Sequence, residues 1–542
     1  MNIAELQRIY ASHPNVAGLM SLLDNKDIRT IYLKGMHASC ASLFASGIFD
    51  KAPGIYVFIL NDVEEAGYFY HDLVQVNGDE QILFFPSSYR RAIKYGQKDA
   101  ANEILRTEVL SRLGKQESLV VVTYPDALAE KVVSCQYLSD RTLKLDVGQH
   151  IETDKITALL VEYGFEHVDY VYEPGQFATR GSILDVYSFA SELPYRIDFF
   201  GDEIDSIRTF EVETQLSTEK KTTVSIVPEL ISASESDICF LDFIPRQTVL
   251  FIKDFLWLRE RIQTVRDEAL SPQALTAYEG EQTELMNLEK KLVDGSEFTV
   301  KALEFKRVDF GRPFGPRVTF TALAQATLEF NTSIQPIFHK NFDMVASVLT
   351  EYLQRNYKLY ICSDSMKQTD RLRDIFKERG DRISFEPVDR TLHEGFVDHT
   401  LKCCIFTDHQ IFDRFHKYNL RSDKARSGKV ALSLKELNQF EPGDYVVHID
   451  HGIGKFAGLV RIPNGNTTQE VIKLIYQNDD VVFVSIHSLH KISKYKGKEG
   501  EQPRISKLGT GAWEKIKDRT KTKIKDIARD LIKLYSKRRQ EK

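Results

Sequence analysis

A change of rhythm along the chain constrains its fold more than any other feature. Thr30–Leu33, Gly54–Leu60, Gln81–Phe85 and Ser118–Thr123 are apolar runs, with amphipathic segments such as Asp99–Leu113 between them. Strands alternating with helices predict a doubly wound, mainly parallel α/β sheet. The spacing then tightens. Asp169–Tyr172, Ile183–Phe189, Tyr195–Phe200 and Ile204–Phe210 read as short strands separated by turns such as Glu173-Pro174-Gly175. Thr142–Glu213 is therefore expected to be a small α+β insert with an antiparallel sheet. The first rhythm returns at Thr248–Ile252, and Phe255–Leu292 reads as a charged helical hairpin. A chain that leaves an α/β domain and comes back to it builds a discontinuous domain, placed here at 1–125 and 215–334 around an insert at 126–214.

A second α/β unit is expected over 335–430. Phe342–Arg355 and Met366–Arg379 have helical spacing, while Lys358–Cys362 and Lys402–Phe406 read as strands. Arg421–Val430 is polar, basic and glycine-containing, an exposed linker by composition. Nothing in this unit points to chemistry, and a spacer role is the plain reading. Past it, Tyr445–Ile449, Phe456–Ile462, Val471–Tyr476 and Val481–Ile486 are short strands with glycine turns, a small barrel over 438–500. Over 510–542, Trp513, Ile516, Thr520, Ile524, Ile527, Leu531 and Leu534 recur at helical spacing, marking one long amphipathic helix. The chain's 542 residues suit three to five domains rather than one core.

Charge separates two regions. From Ala512 to Lys542 there are twelve Lys/Arg against five Asp/Glu, yet the whole chain carries a net charge of −6. An acidic body argues against a protein that coats nucleic acid over its whole surface. No run of 18 apolar residues and no basic, apolar leader occurs, so a membrane partner or secretion is not expected. The six cysteines include no CxxC pair, which suits reduced thiols in a cytoplasmic core.

Leu33-Lys34-Gly35-Met36-His37-Ala38-Ser39-Cys40-Ala41-Ser42 lies where a phosphate-binding loop would sit, after a strand and before a helix. GxxxxGK[ST] needs small residues to turn N–H groups inward and a lysine on the β/γ-phosphates. Gly35 and Ser42 fit; Cys40 stands at the second glycine and Ala41 at the lysine. The loop reads as degenerate, so no ATP or Mg cofactor, no catalytic residue and no enzyme activity are expected of this chain. An ATPase with an atypical loop is the alternative that nucleotide binding would support. His448, Asp450 and His451 are expected not to form a metal site, because neighbouring strand positions point to opposite faces.

Two strings in the insert carry a resemblance. Arg180-Gly181-Ser182-Ile183-Leu184-Asp185-Val186-Tyr187 and Tyr195-Arg196-Ile197-Asp198-Phe199-Phe200-Gly201-Asp202-Glu203-Ile204-Asp205 resemble the UvrA-binding domain that UvrB shares with transcription-repair coupling factors. Read without it, Ile183–Tyr187 is a half-buried strand and Arg180 a strand-edge residue suited to an ion pair. Phe440-Glu441-Pro442-Gly443-Asp444-Tyr445-Val446-Val447-His448-Ile449-Asp450-His451-Gly452-Ile453-Gly454-Lys455-Phe456 resembles the opening of the CarD-like RNA-polymerase-interacting domain. With the order of the modules, the chain resembles the N-terminal portion of the coupling-factor family over essentially its whole length.

The resemblance implies a UvrB-like, degenerate RecA-like α/β domain, a CarD/Tudor-like β-barrel and a linker helix leading to a motor absent from this chain. In the family that motor binds ATP and Mg and translocates on double-stranded DNA. It also implies a bacterial cytoplasmic location, a monomer, and two partners. UvrA is expected to meet Arg180, whose planar guanidinium can pair bidentately with a carboxylate, with Phe177 and Leu184 as neighbours on the same surface. His167 falls where the family pattern carries a second basic residue, and Arg196 reads equally well as structural. The RNA polymerase β subunit is expected to pair with the strand edge at Val460, Arg461 and Ile462 by β-augmentation. The alternative is an inactive UvrB-like nucleic-acid-binding protein.

Overall fold

The computed structural model describes residues 1–88, 100–115, 118–212, 214–230, 237–271, 289–311, 324–414, 441–448, 450–464, 467–485, 492–495, 503–508 and 513. The expected linker at 421–430, residues 272–288 of the expected hairpin and all but Trp513 of the expected C-terminal helix lie outside them.

Among the described residues, the chain lays down strands β1 (Thr30–Lys34), β2 (Ile55–Ile59), β3 (Ile82–Phe84) and β4 (Leu119–Thr123). It then departs into an insert with β5 (Leu143–Asp146), β6 (Glu166–His167), β7 (Gln176–Arg180), β8 (Ile183–Val186), β9 (Tyr195–Phe200), β10 (Glu203–Phe210), β11 (Ser217–Lys221) and β12 (Thr223–Ile226). It returns with β13 (Val249–Ile252), β14 (Lys306–Phe310) and β15 (Ala326–Glu329). The first and last groups form one sheet of order β15-β1-β14-β13-β2-β4-β3, in which every pair is parallel. Its central strands are buried end to end, as in β2 and β4, because helices cover both faces of a parallel sheet. That is why Ile55–Ile59 and Leu119–Thr123 are continuous apolar runs rather than alternating ones.

The insert departs from expectation in its strands. Asp169–Tyr172 is irregular, and Gln176–Arg180, like β5, β6, β11 and β12 not among the expected strands, is β7. Gln, Ala and Arg give that run little strand propensity beside Phe177 and Thr179; its pairing between β6 and β8 makes it a strand. Strands β6 to β10 run in the order β10-β9-β8-β7-β6, with β6 parallel to β7 and the others antiparallel. The insert's core gathers Leu145, Ile156, Leu160, Phe177, Leu184, Ile197, Val224 and Ile226. It therefore runs from β5 to β12 rather than over 126–214. Ala127, Leu128 and Leu138 pack instead into the core of the first α/β domain.

The second α/β unit has β16 (Thr332–Ile334), β17 (Lys358–Cys362), β18 (Glu386–Val388), β19 (Phe396–Asp398) and β20 (Cys403–Thr407), in the order β16-β19-β20-β17-β18. Tyr360, Cys362, Val388, Leu392, Phe396, Cys403 and Ile405 join the apolar cluster of the first domain. The opposite face of this sheet closes its own core around Phe338, Leu349, Ile361, Leu372 and Phe406.

A separate compact unit contains β21 (Tyr445–His448), β22 (Gly452–Asn464), β23 (Thr467–Ile475), β24 (Val481–Ser485) and β25 (Ile492–Lys494). They form an antiparallel sheet of order β24-β23-β22-β21-β25 over Val446, Phe456, Ile472, Leu474, Tyr476, Val484 and Ile492. Among the described residues, no pairing between β24 and β25 closes it into a barrel.

Candidate partner-binding sites

The insert's Arg180 ends β7, and Gly181-Ser182 turns the chain into β8 with Arg180 opposite Ile183. Gly181 has φ +62°, a conformation that suits glycine in a tight hairpin. Facing residues of paired strands share a side of the sheet. The register Ala178↔Asp185↔Arg196 and Arg180↔Ile183↔Asp198 therefore puts Arg180, Asp185, Arg196 and Asp198 on one side. Arg180 Nη2 donates to Asp185 Oδ2, while Arg196 donates from Nε to Oδ1 at 2.8 Å and from Nη2 to Oδ2 at 2.9 Å. Asp185 is completely buried, and Arg180 remains 35% exposed. The Arg180 guanidinium also lies 4.8 Å above the ring of Tyr170, itself 40% exposed. Asp198 accepts from Ser182 at 2.9 Å and faces Arg208 at 3.7 Å. A cationic, aromatic-backed surface results, with its arginines oriented by buried or half-buried carboxylates.

This geometry corrects two of the four expected contacts. Phe177 is 2% exposed and Leu184 is 0% exposed; both belong to the insert's core. They alternate with Arg180 and Asp185 along β7 and β8, so their side chains point to the opposite side of the sheet from Arg180. His167 is exposed but lies with them, facing Phe177 in register and Thr179 Oγ1 at 3.2 Å from its Nε2. The structure does not bring His167 and Arg180 together. Sequence reasoning missed Tyr170, whose place beneath Arg180 depends on an irregular loop. Arg196 is 14% exposed and holds Asp185, the structural reading of that residue.

In the separate unit, β21 covers β22 only from Gly452 to Lys455, and β23 pairs with β22 from Lys455 to Asn464. Beyond Phe456, the other edge of β22 has no strand beside it among the described residues. Val460 faces Val471, Arg461 faces Glu470 and Ile462 faces Gln469 on the paired side. Gly458, at φ +98°, sits within the register shift between Phe456 and Leu459. The three expected residues thus lie together on a strand stretch with one open backbone edge. Leu459 is exposed; the side chains of Arg461 and Ile462 lie outside the described set. β24 presents a second edge, carrying exposed Val481 and Phe483.

His448 and His451 do not point apart as expected. Their rings stack at 4.5 Å, because His451 lies in the turn after β21 rather than on the strand. No group of three or more His, Cys, Asp or Glu able to hold a metal occurs among the described residues. The described cysteines are all free thiols.

The loop Gly35–Ser42 joins β1 to the helix Cys40–Lys51. Gly35 has φ +90°, and a Cβ there would overlap the Phe330 carbonyl oxygen, so glycine is kept for packing as well as for the turn. Ala41 lines a cleft of about 540 Å³, and Ser42 Oγ donates to the buried Asp72 at 2.8 Å. Burial pushes the Asp72 carboxyl up to about 7, against hydrogen bonds from Ser39, Ser42 and the His393 N–H. Lys253, paired with Glu65, lines the same cleft from the end of β13. Its pKa is lowered by burial, with Glu394 and Asp62 opposing.

Two family models match this chain: the UvrB interaction domain over residues 143–230 and the CarD-like/TRCF RID domain over 440–496. The first coincides with β5 to β12, the second with β21 to β25. The chain is also similar to proteins named transcription-repair-coupling factor. It is 25% identical to that of Bacillus subtilis over 94% of this chain and 49% of the relative. For the Escherichia coli protein the figures are 26%, 92% and 48%, and for the Haemophilus influenzae protein 25%, 92% and 48%. The chain spans about half the length of these relatives. It thus resembles a part of a transcription-repair-coupling factor that contains both a UvrB-type interaction domain and an RNA-polymerase-interacting domain.

Proposed function

We propose that this chain is the adaptor part of a transcription-repair-coupling factor, joining RNA polymerase to the excision-repair protein UvrA. The observation that carries the reading is the coexistence of a partly exposed, oriented arginine and a half-open strand on two separately matched domains. On the insert, Arg180 keeps a third of its surface exposed while Asp185 and Tyr170 fix its orientation. A pre-oriented guanidinium loses little freedom when it pairs with a carboxylate on UvrA. On the other domain, the open edge of β22 offers main-chain hydrogen bonds to a strand of the polymerase β subunit, with Val460, Arg461 and Ile462 setting specificity.

The chain itself works by binding. In this reading ATP, Mg and double-stranded DNA belong to a motor outside this chain, and the loop Gly35–Ser42 holds no nucleotide. No helix among the described residues is long and apolar enough to cross a membrane. A pull-down of the full chain with UvrA and with the polymerase β subunit tests the proposal. Arg180→Ala is expected to lose UvrA alone, and Ile462→Arg to lose the β subunit alone. Retention of both partners by both variants would reject these surfaces.

A further inference from the structure

The cleft of the degenerate phosphate loop is partly filled by the chain's own second α/β unit. Ser39 N–H donates to the carbonyl of Glu394 at 3.2 Å, and the Glu394 N–H returns to Ser39 Oγ at 3.0 Å. Ser39 is the N-cap of the helix Cys40–Lys51, yet its side chain makes no cap bond to it; the hydroxyl accepts from Glu394 N–H instead. One residue earlier, the His393 N–H donates to Asp72 Oδ1 at 2.7 Å, and its ring stacks on Tyr68 with centroids 3.5 Å apart. Glu394 lines the cleft together with Lys253, the cation contributed by β13.

These groups reproduce, with peptide atoms, what a phosphate loop does. A helix N-terminus offers an N–H to an oxygen acceptor and a lysine faces an anionic group, while the Tyr68–His393 stack adds a contact of its own. The occupying segment is also held rigid from behind. Leu392 and Phe396 on either side of it are fully buried. Gly395 donates to Gln410 Oε1 at 2.7 Å and accepts from Gln335 N at 3.0 Å. A ligand pre-organised in this way costs little entropy to bind.

We propose that the former nucleotide cleft is now an internal peptide receptor, whose ligand is His393–Glu394 and whose role is to fix the second α/β unit on the first. The unit at 335–411 is then a part clamped by that cleft rather than a passive spacer. Nucleotide is excluded by an occupant as well as by the missing lysine.

Hydrogen exchange on the full chain tests this. In the wild type, peptides spanning 390–397 should exchange slowly. Ser39→Ala should speed exchange there at least tenfold while the β7–β8 hairpin is unchanged. Glu394→Lys should do the same by placing a second cation at Lys253, with circular dichroism showing the variant folded. Unchanged exchange over 390–397 in both variants would overturn the proposal. A second arm restores the lysine with Ala41→Lys and adds ATP with Mg. With the occupant in place, no binding is expected; calorimetric binding of ATP by this single variant would show the cleft to be free and overturn it equally.

Discussion

Arg180 and Asp185 form an ion pair across the β7–β8 hairpin in which the arginine is 35% exposed and the carboxylate has no accessible surface. A carboxylate buried that far is tolerable only if its lone pairs are used, and Arg196 supplies the other two hydrogen bonds. The two arginines therefore divide their work. Arg196 neutralises the buried charge, and Arg180 shares that task while reaching solvent.

That division predicts a separation of effects. Arg180→Ala leaves Asp185 with the bidentate Arg196 and should cost about 1–2 kcal/mol of insert stability while abolishing UvrA binding. Arg196→Ala removes the main partner of a buried charge and should cost about 3–5 kcal/mol. Urea unfolding with a parallel UvrA pull-down measures both. Equal destabilisation by the two variants would contradict the assignment.

Phe177 and Leu184 provide the converse test. Both are core side chains, so Phe177→Ala and Leu184→Ala should each destabilise the insert by about 2–5 kcal/mol. Their loss of UvrA binding should track the unfolded fraction and recover on cooling towards the stability maximum. A folded Leu184→Ala insert with binding lost would return that residue to the interface.

How much of this was legible in sequence follows from which interactions are local. The buried strands β2, β4 and β17 read directly from their apolar runs, because a covered parallel sheet demands continuous hydrophobicity. The strand β7 did not, since Gln176, Ala178 and Arg180 outnumber its strand formers Phe177 and Thr179, and the run becomes a strand through its neighbours. The motif around Arg180 lies on the β7–β8 hairpin, but contiguity in sequence grouped Phe177 and Leu184 with it, and strand alternation separates them. The pairing of Ser39 with Glu394 joins residues 355 positions apart, and no pattern in either segment announces it.

On the RNA-polymerase side, the two edges of the sheet predict different outcomes. Ile462→Arg, on the half-open strand β22, should abolish the β-subunit pull-down. Phe483→Lys, on the exposed edge strand β24, should leave it intact. Circular dichroism should show both variants folded. If Phe483→Lys loses the partner and Ile462→Arg keeps it, the docking edge is β24.

Asp72 makes the cleft a source of pH-dependent stability. Its carboxyl titrates at about 7 in the folded chain, against 3.8 for an ordinary aspartate, because burial disfavours the charged form. The folded state thus holds the proton more tightly than the unfolded one. The favourable contribution is full below about pH 4 and is lost as pH rises through about 7, where the carboxylate is ionised in both states. Wild-type stability should therefore contain a part that falls by a few kcal/mol between about pH 4 and pH 7. Asp309, raised to about 6 by burial, adds a change of the same sign, so the comparison must be with a variant at one site. Asp72→Asn keeps an oxygen to accept the His393 N–H and cannot ionise. Urea unfolding across pH 5–8 should show a shallower fall for Asp72→Asn than for the wild type, with the variant the more stable above pH 7. Parallel profiles for the two proteins would mean that Asp72 is already ionised throughout that range.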